Sequence, residues 1–146
     1  MDEIRPWLYV GSYRDCLNIS HLSLMSINAM LQLSAKVEQP GIDSLYLSFE
    51  HGAPVPFELF TKGVAFIREH KKQGHRILVA CGAGINRSSA FATAALKDEE
   101  DLSLLEAFRA VKIKHPESIP YQPVWESLCN YYNEFIPYLD IMLIKS

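Results

Sequence analysis

The chain has 146 residues, which fits one domain with a sizeable core and leaves no room for two full-sized domains. Apolar residues make up 49% and charged residues 21%, which is typical of a globular protein and excludes a disordered chain. The net charge of −3 argues against a nucleic-acid partner held by a basic surface. We therefore expect residues 1–146 to form a single domain in which any anion site is local.

The sequence shows no sign of membrane insertion or export. Its longest apolar runs are only a few residues, too short to span a bilayer. Residues 1–20 contain several charged side chains and no apolar stretch of signal-peptide length. A cytoplasmic location without a membrane partner is therefore the expectation.

The cysteine and histidine pattern does not suggest a metal site. Cys16, Cys81 and Cys129 stand at no metal-ligand spacing, and the five histidines are scattered. In a reducing compartment the three thiols should remain free. We expect no structural zinc, and the open question is whether one thiol is reactive.

The first half of the chain predicts strands followed by a helix. Apolar runs predict strands over 7–10 and 27–33, and the period-two spacing of Leu45, Leu47 and Phe49 predicts another. Residues 51–56 contain glycine and two prolines, which break regular structure. From residue 57 the apolar positions fall at helical spacing, and this helix should close in the polar stretch 68–74.

The second half predicts one buried strand and three helices. The strand covers 76–80, and an alanine-rich helix over 88–97 should pack closely on the sheet. A capping box at Ser103 opens the next helix, which Pro116 stops, and a last helix should cover about 123–135. The alternation predicts an α/β fold with a mainly parallel central sheet flanked by helices. The apolar tail 137–146 is expected to pack back on the domain.

The densest chemical signal lies where the strand over 76–80 runs into Cys81. Gly82 and Gly84 allow the backbone to curl so that successive N–H groups point inward. The helix that follows adds unpaired N–H groups and partial positive charge at its N-terminus. Together they would form a cradle for one phosphate, and its donors should favour the thiolate form of Cys81.

Arg87 supports this interpretation because a guanidinium has little reason to sit at a tight buried turn without an anion. Its planar fork can hold two phosphoryl oxygens in a bidentate contact. A cysteine after an apolar strand is usually just a small buried residue, but the added glycines and arginine make packing alone a poor explanation. The predicted phosphate-binding residues are Gly82, Ala83, Gly84, Ile85, Asn86 and Arg87.

Residues 81–88, C-G-A-G-I-N-R-S, match the Cys-x5-Arg-Ser/Thr signature of the protein tyrosine phosphatase superfamily. The chain most resembles the small dual-specificity phosphatases, over roughly residues 7–133. The signature loop is specific, whereas the flanking segments are weak individually and agree in order and spacing. Those segments are 8–12, 27–33, 77–79, 102–107 and the residues His115, Pro116 and Pro120.

The resemblance implies a two-step phosphoryl transfer without a metal or organic cofactor. The Cys81 thiolate would attack phosphorus and form a phosphocysteine, while Arg87 and the amides of 82–87 hold the equatorial oxygens. A general acid would protonate the leaving oxygen, and water would then hydrolyse the intermediate. Ser88 matches the family residue whose hydroxyl bonds the sulfur and helps it leave. Ser89 is interpreted as an ordinary residue of the first helical turn.

Two departures from the family concern support of the loop. The family usually has histidine immediately before the cysteine, where this chain has Ala80. Its loss should destabilise the thiolate or loosen the loop, although the amide cradle and Arg87 remain. Many relatives have asparagine after the proline, where this chain has Tyr121.

The third departure concerns the general acid. The family uses an aspartate about 30 residues before the cysteine, and the corresponding segment 47–56 contains none. Aligning the prolines and the following helix places Glu50 at the acid position. A shift of one residue would place His51 there instead, and a third alternative is that no residue serves as acid.

The loop predicts a phosphoprotein substrate rather than a highly charged ligand. Residues 82–86 contain no lysine or arginine, whereas superfamily members acting on polyphosphorylated lipids commonly add basic residues there. A shallow site that admits phosphotyrosine and phosphoserine/threonine is expected, in a monomer. The alternative is a pseudophosphatase that binds phosphopeptides and hydrolyses them poorly. An RNA 5′-phosphatase is disfavoured because no basic groove is indicated.

Overall fold

The computed structural model describes residues 1–50 and 52–145 and arranges them as a five-stranded sheet covered by helices. The strands are β1 (Asp2–Arg5), β2 (Leu8–Ser12), β3 (Ile27–Gln32), β4 (Asp43–Tyr46) and β5 (Arg76–Cys81). The helices are α1 (Tyr13–Leu17), α2 (Ile19–Leu24), α3 (Phe57–Lys72), α4 (Arg87–Glu100), α5 (Leu104–Lys114), α6 (Gln122–Tyr132) and α7 (Tyr138–Met142). Among these described residues, no helix is both long enough and apolar enough to cross a bilayer.

The strand order is β1-β2-β5-β3-β4, and only the β1–β2 pair is antiparallel. This confirms the predicted α/β fold with a mainly parallel sheet. β5 lies at the centre, with Cys81 opposite Ser12 of β2 and Ala80 opposite Gln32 of β3. Cys81 therefore emerges at the carboxyl edge of the parallel strands, where open α/β sheets usually place their ligand sites.

The two faces of the sheet are covered by different helices. The main core lies between the sheet and helices α3 to α6, and it includes the Cys81 side chain. Small residues bring α4 close to the sheet, since Ala90 and Ala94 are completely buried. The opposite face carries a smaller apolar cluster that includes Ala80 and Cys16.

Several elements differ from the sequence-based expectations. The strand predicted across Leu45, Leu47 and Phe49 is shorter, because β4 ends at Tyr46 and the chain turns away before the prolines. The last predicted helix ends at Tyr132, where Asn133 adopts a left-handed conformation. Strand β1 and helices α1, α2 and α7 were not predicted, since each has only four to six residues and too few to establish a period.

The C-terminal segment packs back on the domain, as expected. Ile141 is buried, and the Tyr138 hydroxyl donates a 2.7 Å hydrogen bond to the Pro120 carbonyl. Leu139 and Leu143 nevertheless remain exposed. The segment therefore buries one side against the core and leaves an apolar side outward.

Candidate active site

The loop between β5 and α4 is a tight turn that requires glycine at position 84. Gly84 adopts a φ of +75°, which side-chain-bearing residues rarely tolerate. A Cβ atom there would lie 2.8 Å from the carbonyl oxygen of Gly11 in β2. The loop is therefore pressed against the end of β2, in the position that the sequence predicted for an anion cradle.

Carbonyl oxygens of this loop are hydrogen-bonded to groups around it. A trans peptide is planar, so a carbonyl held on one side directs the next N–H to the other side. This arrangement leaves loop N–H groups to face inward, as a phosphate cradle requires. The donors are the Tyr13 N–H to Gly82 at 3.2 Å, the His115 ring to Gly84 at 2.5 Å, and the Ile119 N–H to Ile85 at 3.0 Å.

The structure gives Ser89 and Asn86 larger supporting roles than the sequence suggested. Ser89 is not merely a first-turn residue, because its buried hydroxyl donates to the carbonyls of Ile85 at 2.7 Å and Asn86 at 2.9 Å. The Asn86 side-chain oxygen accepts the Tyr121 N–H at 2.6 Å. Since that bond uses the backbone of Tyr121, this support does not depend on which side chain follows Pro120.

The Cys81 sulfur lies under the loop, next to a hydroxyl. Its Sγ is 3.2 Å from the Ser88 Oγ, and both side chains are buried. Secondary structure determines both main-chain positions, because Cys81 is the last residue of β5 and Ser88 lies in the first turn of α4. The hydroxyl is placed to donate a hydrogen bond to a thiolate.

The Arg87 guanidinium is buried and only partly satisfied. The residue is 7% exposed, and Nη1 donates a 2.7 Å hydrogen bond to the Leu33 carbonyl. Nε has no hydrogen-bond partner among the described residues, and the guanidinium carbon lies 5.8 Å from the centre of the Phe49 ring. A buried cationic donor without a partner is costly, and an anion in the cradle would satisfy it.

Glu50 lies in the segment that leads from β4 to α3. Glu50 is exposed, and the adjacent Phe49 packs over Arg87, so this segment runs beside the cradle. Its far end is fixed where Val55 N–H donates to the Ser127 hydroxyl at 2.9 Å. The competing residue, His51, lies outside the described residues.

The residue before the cysteine, Ala80, packs among apolar side chains. It is buried on the face of the sheet opposite Cys81, within the apolar cluster that contains Tyr9, Cys16 and Met30.

Burial raises the pKa of the Cys16 thiol to about 11 and also raises the pKa of the Cys129 thiol. These two thiols therefore stay protonated at neutral pH, as expected of ordinary buried cysteines.

One group of side chains in the described part of the chain has the composition of a metal-binding set. Asp2, His115 and Glu117 each bring a possible ligand atom to within 4.8 Å of the others. The 2.6 Å separation between His115 Nδ1 and Asp2 Oδ2 is also that of a charge-assisted hydrogen bond. Sequence spacing gave no signal for this group, because strand β1 was not predicted.

Comparison with known proteins assigns this arrangement to a family. The family described as "Dual specificity phosphatase, catalytic domain" matches residues 8–134. This chain belongs to the dual specificity phosphatase family. It is thereby placed among the protein-tyrosine and dual-specificity phosphatases, as the signature loop predicted.

Individual dual specificity phosphatases resemble the chain over most of its length. Human dual specificity protein phosphatase 12 is 29% identical over 126 residues, which cover 81% of this chain and 37% of that protein. The chain thus spans little more than a third of that relative. The crystal structure of human DUSP28 superposes with a TM-score of 0.84 at 26% identity, covering 91% of this chain and 96% of the other.

A second solved dual specificity phosphatase carries an oxyanion. The mouse putative dual specificity phosphatase complexed with zinc tungstate is 26% identical, with a TM-score of 0.84. It covers 90% of this chain and 86% of its own. Together these similarities establish the fold and the family of this chain. The roles of its individual residues are inferred from the hydrogen bonds and burial of the site.

Proposed function

We propose that residues 1–146 form one catalytic domain that hydrolyses phosphomonoesters on protein tyrosine and serine/threonine through a phosphocysteine. The observation that carries the proposal is the buried Arg87, whose Nε has no partner among residues 1–50 and 52–145, beside a loop whose carbonyls are hydrogen-bonded to groups outside it. Such a site is complementary to a tetrahedral dianion above the Cys81 sulfur. The proposed working form is a cytoplasmic monomer acting on a phosphorylated protein or peptide.

The first chemical step transfers the phosphoryl group to sulfur. The Cys81 thiolate attacks phosphorus in line, so that an S–P bond forms as the P–O bond to the leaving group breaks. The loop amides of 82–87 and Arg87 hold the three equatorial oxygens while charge redistributes. A general acid, which we assign to Glu50, donates its proton to the departing oxygen.

The second step releases phosphate and uses no metal or organic cofactor. Water attacks phosphorus while Glu50, now ionised, accepts its proton, and the S–P bond breaks. The Ser88 hydroxyl, 3.2 Å from Sγ, donates a hydrogen bond that stabilises the departing thiolate. Cys81 and Ser88 thus return to their starting states.

The substrate assignment follows from the openness of the cradle. Gly82 and Ala83 are exposed, so the loop is reached from the surface rather than through a deep cleft. Arg87 is the cation contributed by the signature loop itself, which suits one phosphoryl group better than several. A shallow single-phosphate site supports action on tyrosine and on the shorter serine and threonine side chains.

We expect Glu50→Gln to lower kcat for an aryl phosphate by about 10²-fold with little change in KM, because the acid acts in the transition state. Glu58→Gln, an exposed change on α3, is the matched control. Full activity in Glu50→Gln together with a large loss in His51→Ala would assign the acid to His51. Full activity in both variants would mean that neither residue is the general acid.

The alternative function is a phosphopeptide-binding pseudophosphatase. Two features favour it, namely Ala80 before the cysteine and the absence of aspartate from segment 47–56. The complete set of Cys81, Arg87 and Ser88 favours the enzyme. Wild type and Cys81→Ser that are equally inert toward aryl phosphate yet bind phosphopeptide would establish the binding module.

A further inference from the structure

A histidine buried behind the cradle has no role in the proposed mechanism. His115 caps the end of α5 and is 4% exposed, with its ring between β1 and the loop. Its Nδ1 lies 2.6 Å from the Asp2 Oδ2, and its Nε2 lies 2.5 Å from the Gly84 carbonyl oxygen. Both ring nitrogens are therefore at hydrogen-bond distance from oxygen atoms.

The chemistry of these partners limits which hydrogen bonds the ring can make. A carbonyl and a carboxylate only accept hydrogen bonds, and a neutral imidazole has one N–H to donate. Rotating the imidazole ring by 180° would place carbon atoms at both contacts, so a flipped ring would make neither hydrogen bond. Only a doubly protonated ring donates to Asp2 and Gly84 at once.

We propose that His115 is a positioning residue, held as an imidazolium cation, that fixes the Gly84 peptide and brings positive charge beneath the cradle. Holding the Gly84 carbonyl on the side of His115 directs the Ile85 N–H the other way. A cation at the carbonyl also strengthens the polarity of that peptide. Its value for anion binding rests on the proposed function, whereas its protonation state does not.

The surroundings of the ring support a cation. Asp2 pairs with it directly, and the Glu117 Oε1 lies 3.5 Å from the same Nδ1. Asp15 and the N-terminal ammonium of Met1 line the cavity beside it and are paired with each other at 3.4 Å. Both carboxylates lie toward Nδ1 and can accept the hydrogen bond that a protonated Nδ1 donates.

The first test reads the ring directly. Nitrogen NMR of uniformly labelled protein at neutral pH should show both ring nitrogens of His115 protonated, the signal being assigned by its loss in His115→Gln. Asp2→Asn should convert the ring to a neutral tautomer that keeps its proton on Nε2. A neutral ring in the wild-type protein would overturn the proposal. So would an Nδ1 signal that a chelator alters, because it would indicate a bound metal.

The second test measures anion affinity by calorimetry with tungstate. His115→Gln should weaken binding about tenfold and Asp2→Asn about threefold. His21→Gln, on α2, is the matched control and should not change it. Because Asp2 is 43% exposed at its side chain, its variant should fold even if His115→Gln does not. Unchanged affinity in Asp2→Asn with a neutralised ring would refute the role of the charge.

These readouts separate the two proposals. An imidazolium at position 115 and weakened tungstate binding in the variants, in a protein that hydrolyses no phosphomonoester, would leave the positioning role standing and refute the enzyme. Hydrolysis of a phosphomonoester by a protein whose His115 ring is neutral would support the enzyme and refute the positioning role.

Discussion

Cys81→Ser should lose turnover of an aryl phosphate by on the order of 10⁴-fold or more while still binding tungstate. The serine hydroxyl occupies a similar place but does not ionise at neutral pH, so the covalent step fails. The cradle should survive, because its loop carbonyls are held by backbone and side-chain groups outside position 81. Steady-state kinetics and tungstate calorimetry on the same samples measure both properties.

Cys129→Ser is the matched control for this substitution. Its Sγ lies 3.8 Å from the Ile136 carbonyl oxygen, and burial raises the pKa of its thiol. We expect near-normal turnover from this variant. Equal losses in both variants would mean that the cysteines act through stability, and full activity of Cys81→Ser would eliminate the phosphocysteine pathway.

The second large effect is expected at Arg87. Arg87→Lys keeps the charge but removes the planar fork, so the side chain no longer presents two aligned N–H groups to the phosphoryl oxygens while Nη1 donates to the Leu33 carbonyl. We expect kcat/KM to fall by about 10³-fold. Tungstate affinity should fall as well, because Nε, which no described residue hydrogen-bonds, is the donor assigned to the anion.

Arg109→Lys on α5 provides the comparison, since that residue is exposed and lies outside the cradle. It should keep wild-type kinetics. Thermal unfolding of both variants shows whether Arg87→Lys remains folded. A folded Arg87→Lys with unchanged kcat/KM would contradict the assigned role of the guanidinium.

The cradle was predictable because its parts are contiguous. Cys81, the loop glycines and Arg87 span seven positions, and the strand before them and the helix after them determine where they meet. The hydrophobic pattern identified both elements. Local sequence was therefore sufficient to place these residues in one loop between a strand and a helix, and to predict the mainly parallel sheet.

The groups behind the cradle could not be predicted, because they meet only in the folded chain. Asp2 and His115 are 113 positions apart, and Leu33 is 54 positions from Arg87. Strand β1 has four residues, too few for a recognisable period. The role of Ser89 was missed for a different reason, since a serine in a first helical turn usually needs no further explanation.

The most direct test of the account is a crystal structure of the protein soaked in tungstate. We expect the anion to sit on the N–H groups of residues 82–87, with the Cys81 sulfur beneath it and Arg87 Nε and Nη2 on two of its oxygens. A loop whose carbonyls face an empty cavity, or tungstate bound elsewhere while Arg87 Nε remains unpartnered, would contradict it.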